Sequence, residues 1–332
     1  MSSKTISTRS FRFDSARGRA LCREILALRF SYEPHDYQLD GVCGVLDGRD
    51  ILAITPTGSG KTGFLSMYIS VMMYFSENPS KHPLLPPAKV VRNPCLLVVS
   101  PTKALEYDME IQFSALDIKA VVINSDTVDH ALRHGKDIWA AASSTASVIL
   151  LGPEQLKSPG FRGLLETKGF SPRLVGLGVD EIHLLNSWGL EFRPVFRQIG
   201  DARVRVSEGT IVIATTATLR PGPPTDNVVD FLRLKMSSAL TIRLSNARYD
   251  IRHCWCEMQS GIRARVFREL DWVLDEGRNI IIFCPTISLG TRILIYLWNK
   301  AASLADRHSR FRMYNSLNSQ NYNTTTLSLM RR

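Results

Sequence analysis

Short apolar runs recur along the first 220 residues, separated by stretches whose apolar positions have helical spacing. Six runs have the length of a buried strand, and they cover residues 51–54, 96–100, 121–124, 148–151, 174–179 and 211–214. Strands that are apolar on both faces and alternate with helices are typical of a parallel sheet covered by helices on both sides. The pattern therefore predicts an α/β fold.

The remaining pattern predicts three segments, with boundaries at residues 30 and 240. Residues 1–30 are expected to form a basic N-terminal arm followed by an amphipathic helix over 17–28, with Leu21, Ile25 and Leu28 on one face. Residues 31–239 hold the α/β lobe, including a proline-rich surface loop over 76–94. Residues 240–332 are expected to begin a second lobe, with a helix over 263–276, a strand over 280–283 and a helix over 292–304.

Charge and cysteine content narrow the possible partners of the chain. Among 332 residues, 41 are Lys or Arg and 31 are Asp or Glu, a net charge of +10 that favours a polyanionic partner. The six cysteines form no C-x-x-C pair, so no zinc site is expected, and we interpret them as reduced intracellular thiols. No apolar run reaches the roughly 18 residues of a membrane span, so no membrane partner is expected.

A candidate phosphate-binding loop follows the first predicted strand. Residues 55–62 read T-P-T-G-S-G-K-T and precede a helix predicted over 63–75. Main-chain N–H groups of such a loop bind phosphate, Lys61 would neutralise the β- and γ-phosphates, and the Thr62 hydroxyl would hold Mg²⁺. The strand–loop–helix context argues against a chance glycine-rich turn. The expected nucleotide contacts in this loop are Thr57, Gly58, Ser59, Gly60, Lys61 and Thr62.

A second candidate element, Asp180-Glu181-Ile182-His183, follows the predicted strand 174–179. At the carboxyl edge of a parallel sheet these side chains would lie beside the phosphate loop. Asp180 is expected to hold Mg²⁺, Glu181 to orient and deprotonate the attacking water, and His183 to sense the γ-phosphate. Alone, such an acidic pair is more often a helix cap, but the phosphate loop favours the catalytic interpretation.

Residues 180–194 read DEIHLLNSWGLEFRP and resemble the DEAH box of RecQ helicases with its adjoining aromatic-rich loop. In that family the loop couples DNA contact to ATP hydrolysis, so the resemblance implies this role for Trp188, Phe192 and Arg193. Aromatic and Arg side chains do stack on unpaired bases. The alternative is that Trp188 and Phe192 are core residues.

Further segments are similar to RecQ-family elements and follow in the family's order. Residues 34–38 resemble the adenine-reading element, which implies that Gln38 bonds the base edge. Residues 100–105 resemble motif Ia, and residues 152–156 resemble A-P-E-[RQ]-L with Gly152 in place of Ala. The resemblance implies DNA-backbone contacts for these two segments, through Ser100, Pro101, Thr102, Lys103, Gly152 and Pro153. Motif III, which links the nucleotide site to DNA movement, is matched by Thr216, Ala217 and Thr218.

The resemblance implies a RecA-like P-loop NTPase lobe followed by an incomplete second RecA-like lobe. It implies an ATP-dependent DNA helicase of 3′-to-5′ polarity that uses ATP and Mg²⁺ and acts on single-stranded or partly unwound DNA. We expect a nuclear location, with a mitochondrial one as the alternative. The Q-x-x-G-R-x-G-R element that supplies arginine fingers is not found, so slow hydrolysis and no unwinding are expected of the chain alone.

Three other functions are compatible with parts of this sequence. A degenerate helicase fragment that binds ATP and nucleic acid without unwinding stays open as the alternative. A small-molecule P-loop kinase and a DEAD-box RNA helicase are disfavoured, because neither has the W-G-x-x-F-R-P loop.

Overall fold

The structure is a computed structural model that describes residues 11–79, 90–188, 194–207, 209–235, 237–275, 277–301 and 306–330. Residues 80–89 of the predicted proline-rich loop therefore lie outside the described residues. The chain divides into two compact units, Met1–Ala247 and Arg248–Arg332.

The first unit is built on a seven-stranded sheet in which every neighbouring pair is parallel. The strand order is β3-β4-β2-β5-β6-β1-β7. The strands are β1 (Ile51–Ile54), β2 (Cys95–Val99), β3 (Ala120–Ile123), β4 (Val148–Leu151), β5 (Leu174–Val179), β6 (Ile211–Thr216) and β7 (Leu240–Arg243). The first six confirm the predicted strands, with ends shifted by two residues at most. The sequence pattern did not predict β7, because this edge strand is buried only at Ile242.

Helices cover both faces of this sheet, which confirms the predicted α/β architecture. They are α1 (Ala16–Leu26), α2 (Asp36–Leu46), α3 (Thr62–Glu77), α4 (Lys103–Ser114), α5 (Ser125–Arg133), α6 (Ile138–Thr145), α7 (Pro159–Glu166), α8 (Leu184–Trp188), α9 (Gln198–Arg205) and α10 (Pro223–Leu232). Short 3₁₀ helices cover Pro153–Lys157, Ser171–Arg173 and Pro194–Arg197.

The N-terminal segment from Phe11 onward packs into the first unit. Phe13, Cys22 and Ile25 are buried in the same core as the inner face of α3. Leu28 was predicted to share the buried face, but its side chain is 69% exposed, because α1 ends at Leu26. The described part of residues 1–30 is therefore a piece of the first lobe.

The second unit begins later than predicted and contains less regular structure. Strand β7 pairs with β1, so residues 240–247 belong to the first unit. The second unit holds a 3₁₀ helix (Arg268–Leu274) and the helices α11 (Ile287–Lys300), α12 (Arg307–Arg310) and α13 (Gln320–Met330). The described residues of this unit form no strand, and Phe283 of the predicted strand 280–283 is 89% exposed. A strand needs a hydrogen-bonding partner, and the described residues here supply none.

Two further expectations for the second unit were wrong in their bounds. The predicted helix 263–276 is replaced by the shorter 3₁₀ helix, and the helix predicted over 292–304 begins at Ile287, where the Thr286 side chain caps it by accepting from the N–H of Leu289. A small core joins Phe267 to Ile293, Tyr296 and Leu297. Across both units, none of the described helices has the length and apolar composition needed to cross a membrane.

Candidate nucleotide site

Three adjacent strands bring the candidate residues to one edge of the sheet. Strands β5, β6 and β1 are neighbours and parallel, so their carboxyl ends lie side by side. The phosphate loop follows β1, the Asp180–His183 element follows β5, and Thr216 ends β6 with Ala217 next to it. This edge is where α/β sheets bind ligands.

The phosphate loop has the backbone of an anion-binding turn. Gly58 and Gly60 have φ values of 85° and 77°, and Lys61 returns to the right-handed region at −52° before α3 begins at Thr62. Such alternation turns successive main-chain N–H groups toward one concave surface. The positive end of the α3 dipole points to the same place.

Side-chain hydrogen bonds from Ser59 and from two residues without a predicted role, Thr55 and Tyr37, hold this loop in place. The Ser59 hydroxyl shares its single proton between Oγ1 of Thr55 at 2.8 Å and the carbonyl of Pro56 at 2.7 Å. The Tyr37 hydroxyl donates to the Ser59 carbonyl at 2.5 Å. Thr55 stands where the strict loop pattern has glycine, and its hydroxyl supplies one of these bonds. The sequence gives no sign that Thr55 and Tyr37 brace the loop, because neither position belongs to a pattern that predicts these contacts with Ser59.

Gln38 lies against the phosphate loop and is 2% exposed. Its Nε2 donates to the Gly60 carbonyl at 3.0 Å, and its Oε1 accepts from the main-chain N–H of His35 at 3.0 Å. The exposed His35 ring stacks on the Tyr37 ring, with centroids 5.3 Å apart. Gln38 therefore tightens the loop, and its contact with the base edge stays a prediction.

Asp180 and Glu181 lie in different electrostatic environments. Asp180 is 7% exposed and accepts a 2.7 Å hydrogen bond from Oγ1 of Thr215. Burial raises the pKa of Asp180, and the Thr215 hydrogen bond and the positive charge of Lys61 oppose this only in part. Burial also acts to raise the pKa of Glu181, but the His183 hydrogen bond and the Lys61 charge outweigh it and lower that pKa. Glu181 is thus held ionised beside Lys61.

Three consecutive residues at the carboxyl end of β6 hold the acidic element in place. Thr215 bonds Asp180, as described above. Nδ1 of His183 lies 2.8 Å from Oγ1 of Thr216 and 3.2 Å from Oε2 of Glu181. The main-chain N–H of Ala217 is also close enough to the Glu181 carboxylate to help lower its pKa. The predicted coupling residues Thr216 and Ala217 therefore contact the predicted catalytic residues directly.

The predicted DNA-contacting segments follow β2 and β4, at the same edge of the sheet. Ser100, Pro101, Gly152 and Pro153 are buried, so contacts at these positions would come from exposed neighbours and main-chain groups. The Thr102 hydroxyl caps α4 by accepting from the N–H of Leu105.

Lys103 and the aromatic-rich loop complete the set of predicted DNA contacts. Lys103 pairs with Asp126 at 2.7 Å, which leaves its charge partly neutralised. Trp188 is the last residue of α8, while Phe192 and Arg193 lie outside the described residues.

A buried carboxylate next to these segments was missed by the sequence analysis. Glu106 is 1% exposed, and its Oε2 accepts from Nδ2 of Asn124 at 2.8 Å. A Cβ at Gly152 would lie 2.8 Å from Oε2 of Glu154 and 3.1 Å from Oε1 of Glu106. The glycine that replaces the family's alanine at position 152 therefore leaves space for this carboxylate.

The residues at the nucleotide site fit a nucleoside triphosphate with Mg²⁺. An N–H-lined loop and Lys61 suit the phosphates, and the Thr62 hydroxyl and the buried Asp180 carboxylate are oxygen ligands of the kind that Mg²⁺ takes. The described residues hold no group of three or more His, Cys, Asp or Glu side chains that could bind a metal ion. Mg²⁺ at phosphate sites does not need one, since phosphate and water supply most of its ligands.

Comparison with known proteins adds a family and several relatives. The family model of DEAD/DEAH box helicases matches residues 36–226. The chain is 26% identical over 205 residues to ATP-dependent DNA helicase Q1 of Rattus norvegicus, covering 61% of this chain and 29% of that protein. It is 24% identical over 275 residues to ATP-dependent DNA helicase RecQ of Haemophilus influenzae, covering 82% of this chain and 39% of that protein. A probable ATP-dependent DNA helicase RecS of Bacillus subtilis is 24% identical over 279 residues, with coverages of 81% and 48%.

Among solved structures, the chain is similar to the DUF1998 helicase MrfA bound to DNA and AMPPNP. The TM-score is 0.60 at 17% identity, and the match covers 87% of this chain and 39% of that one. At this identity the match supports the fold, a RecA-like α/β architecture. The chain spans between 29% and 48% of the three curated relatives named above.

Proposed function

The chain belongs to the DEAD/DEAH box helicase family and is RecQ-like in sequence, and from that premise we propose that its first unit is the ATP-hydrolysing lobe of a DNA helicase. The observation that carries the proposal is the meeting of the phosphate loop, Asp180 and Glu181 at one sheet edge, with Lys61 close enough for its charge to act on both carboxylates.

We propose a role for each side chain from its position at this edge. The N–H groups of the phosphate loop and Lys61 bind and orient the phosphates, and Thr62 and Asp180 would hold Mg²⁺. When bound, the ion neutralises charge that develops on the phosphate oxygens. Glu181, ionised and next to the loop, is placed to orient water and accept its proton. His183 contacts both Glu181 and Thr216, so a displacement of Thr216 would change the position of Glu181.

The finer activity is proposed on the strength of the relatives. The proteins similar to this chain are named DNA helicases, and the net charge of +10 suits a DNA partner. We therefore propose translocation on single-stranded or partly unwound DNA, with 3′-to-5′ polarity. A nuclear location is proposed from the same resemblance.

The test is ATP hydrolysis by the purified chain, with and without single-stranded DNA, compared with Lys61→Ala and Glu181→Gln. DNA-stimulated turnover that both changes abolish is expected. Glu181→Gln should still bind nucleotide, since it keeps the phosphate loop. Lys119→Ala is a matched control, because Lys119 is an exposed lysine at the other end of the strands, before β3. Turnover that survives Lys61→Ala would contradict the proposal.

We also propose that these 332 residues hydrolyse ATP slowly and do not unwind DNA by themselves. Support comes from the sequence, in which no Q-x-x-G-R-x-G-R element is found. An arginine finger contributes about 10³–10⁵ in rate. A strand-displacement assay on a 3′-tailed duplex tests this, and efficient unwinding by the purified chain would refute it. Nucleotide binding without DNA-stimulated turnover would instead favour the non-catalytic alternative.

A further inference from the structure

The carbonyl of Ala217 is bound by a side chain from the end of the first unit. Nδ2 of Asn246 donates to it at 2.5 Å, in a partly buried position. Asn246 precedes the start of the second unit, at Arg248, by two residues. A residue at the junction between the two units is thus bonded directly to the segment after β6.

The other side of Ala217 faces the catalytic carboxylate. The residue before it, Thr216, has its Oγ1 2.8 Å from Nδ1 of His183, and the same nitrogen lies 3.2 Å from Oε2 of Glu181. Residues 216 and 217 are therefore held on one side by the acidic element, through His183, and on the other by Asn246. Ala217 is 7% exposed, so it has little room to move independently of these two partners.

The chain between β7 and the junction is otherwise fixed by main-chain pairing. The N–H of Leu244 donates to the carbonyl of Ile54 at 2.9 Å, which continues the pairing of β7 with β1. Ile54 is the last residue before the phosphate loop. Asn246, two residues later, adds the bond to Ala217. Asn246 lies between Arg248 and the paired strand β7, so a change in the backbone at Arg248 would alter the Asn246 bond before it altered the strand pairing.

We propose that Asn246 is a positioning residue for ATP hydrolysis, which holds Ala217 and thereby Glu181 in register and ties their position to the junction with the second unit. This inference rests on the proposed function, because it assigns Asn246 a part in the turnover that Glu181 supports. It does not assign Asn246 a contact with nucleotide. The variant should therefore bind ATP normally and hydrolyse it slowly.

The experiment compares Asn246→Ala, Asn246→Asp and Asn246→Gln in steady-state hydrolysis with saturating single-stranded DNA. Loss of one hydrogen bond that positions the base predicts a kcat about three- to tenfold lower in Asn246→Ala, with KM for ATP changed less than about twofold. Asn246→Asp keeps the shape but lacks the donor, so an equal or larger loss is expected. Asn246→Gln keeps the donor and should recover more than half of the wild-type kcat.

Ser245→Ala is the matched control. The Ser245 hydroxyl accepts from the N–H of Ala247 at 3.2 Å and so belongs to the same exposed segment. The control should keep the wild-type kcat, and thermal unfolding should show the same midpoint for all variants within about 2 °C.

The outcomes separate the two proposals. Wild-type turnover with an unchanged Asn246→Ala kcat would overturn the inference and leave the proposed function standing. So would a loss that Ser245→Ala shares, or a change in KM alone. A wild-type chain without Lys61-dependent turnover would overturn the proposed function, and the role of Asn246 would fall with it.

Discussion

Gly60 is the position where a single methyl group tests the described geometry of the phosphate loop. Its φ of 77° lies in the left-handed region, which costs a residue with a Cβ about 1–2 kcal/mol. A Cβ there would also lie 2.7 Å from Nε2 of Gln38, the atom that donates to the Gly60 carbonyl. Gly60→Ala should therefore lose that hydrogen bond as well, at about 1 kcal/mol.

These two terms predict a loss of about 2–3 kcal/mol in nucleotide affinity. The reason is that the substituted loop relaxes to another conformation in the absence of nucleotide and must return to the strained one to bind. The loss corresponds to a dissociation constant roughly 30–150 times higher. The measurement is equilibrium titration of the purified chain with a fluorescent ATP analogue in the presence of Mg²⁺.

A double-mutant cycle with Gln38→Ala isolates the side-chain contact from the backbone strain. In the Gln38→Ala background the clash is absent, so Gly60→Ala should cost only the strain, roughly 5–30-fold. Gly48→Ala is the control for strain, since Gly48 has a φ of 90° and no atom within 4 Å of the added Cβ. It should lower stability without changing nucleotide affinity.

Either of two results would refute this prediction. If Gly60→Ala costs the same in the presence and absence of Gln38, the contact between the two residues does not contribute, and the role of Gln38 as a brace of the loop is wrong. If Gly60→Ala binds nucleotide as tightly as the wild type, the left-handed conformation of the loop is not the one that binds phosphate.

Three further predictions concern other contacts of the first unit. Thr215→Val removes the hydroxyl that donates to Oδ1 of Asp180, so the Mg²⁺ concentration for half-maximal hydrolysis should rise about fivefold. Thr215→Ser keeps the hydroxyl and should restore the wild-type value. An unchanged Mg²⁺ requirement in Thr215→Val would show that this hydrogen bond does not support Mg²⁺ binding. Burial raises the pKa of Glu106, and the hydrogen bond from Asn124 opposes this only in part. The Glu106 carboxyl therefore binds its proton more tightly in the folded state than in the unfolded chain. For this reason its contribution to stability is lost as pH rises through the folded pKa. Glu106→Gln should remove that pH dependence and raise the unfolding midpoint at pH 7 by a few degrees, for a desolvation cost of about 1 kcal/mol, and a lower midpoint would refute it. Arg173 is 9% exposed and donates to three main-chain carbonyls. Arg173→Met should therefore lower the free energy of unfolding, measured by denaturant titration, by about 3 kcal/mol or more. A change below about 1 kcal/mol would show that water replaces the guanidinium as the hydrogen-bond donor.

The sequence alone predicted most of the sheet and the candidate residues at its edge. Strands that are buried on both faces must be apolar throughout, so six of the seven strands, including Leu174–Val179, are visible as uninterrupted runs. A phosphate loop and an acidic pair are short, local patterns, and the residues that carry them are adjacent in the chain. Parallel pairing then places both patterns at the same edge, so local patterns were enough to predict that these residues lie close together.

The tertiary structure decided what depends on residues far apart in the chain. The pairing of β7 with β1 joins residues separated by about 190 positions, and with it the boundary between the two units moved from 240 to Ala247. Two side-chain hydrogen bonds also join residues that are separated in the chain, from Asn246 to the Ala217 carbonyl and from Gln38 to the Gly60 carbonyl. No pattern of hydrophobicity records such contacts, because each is a single polar pair whose partners meet only when the strands have paired. For the same reason the apolar run 280–283 did not become a strand: its sequence has the right composition, but the described residues of its unit offer no neighbouring strand.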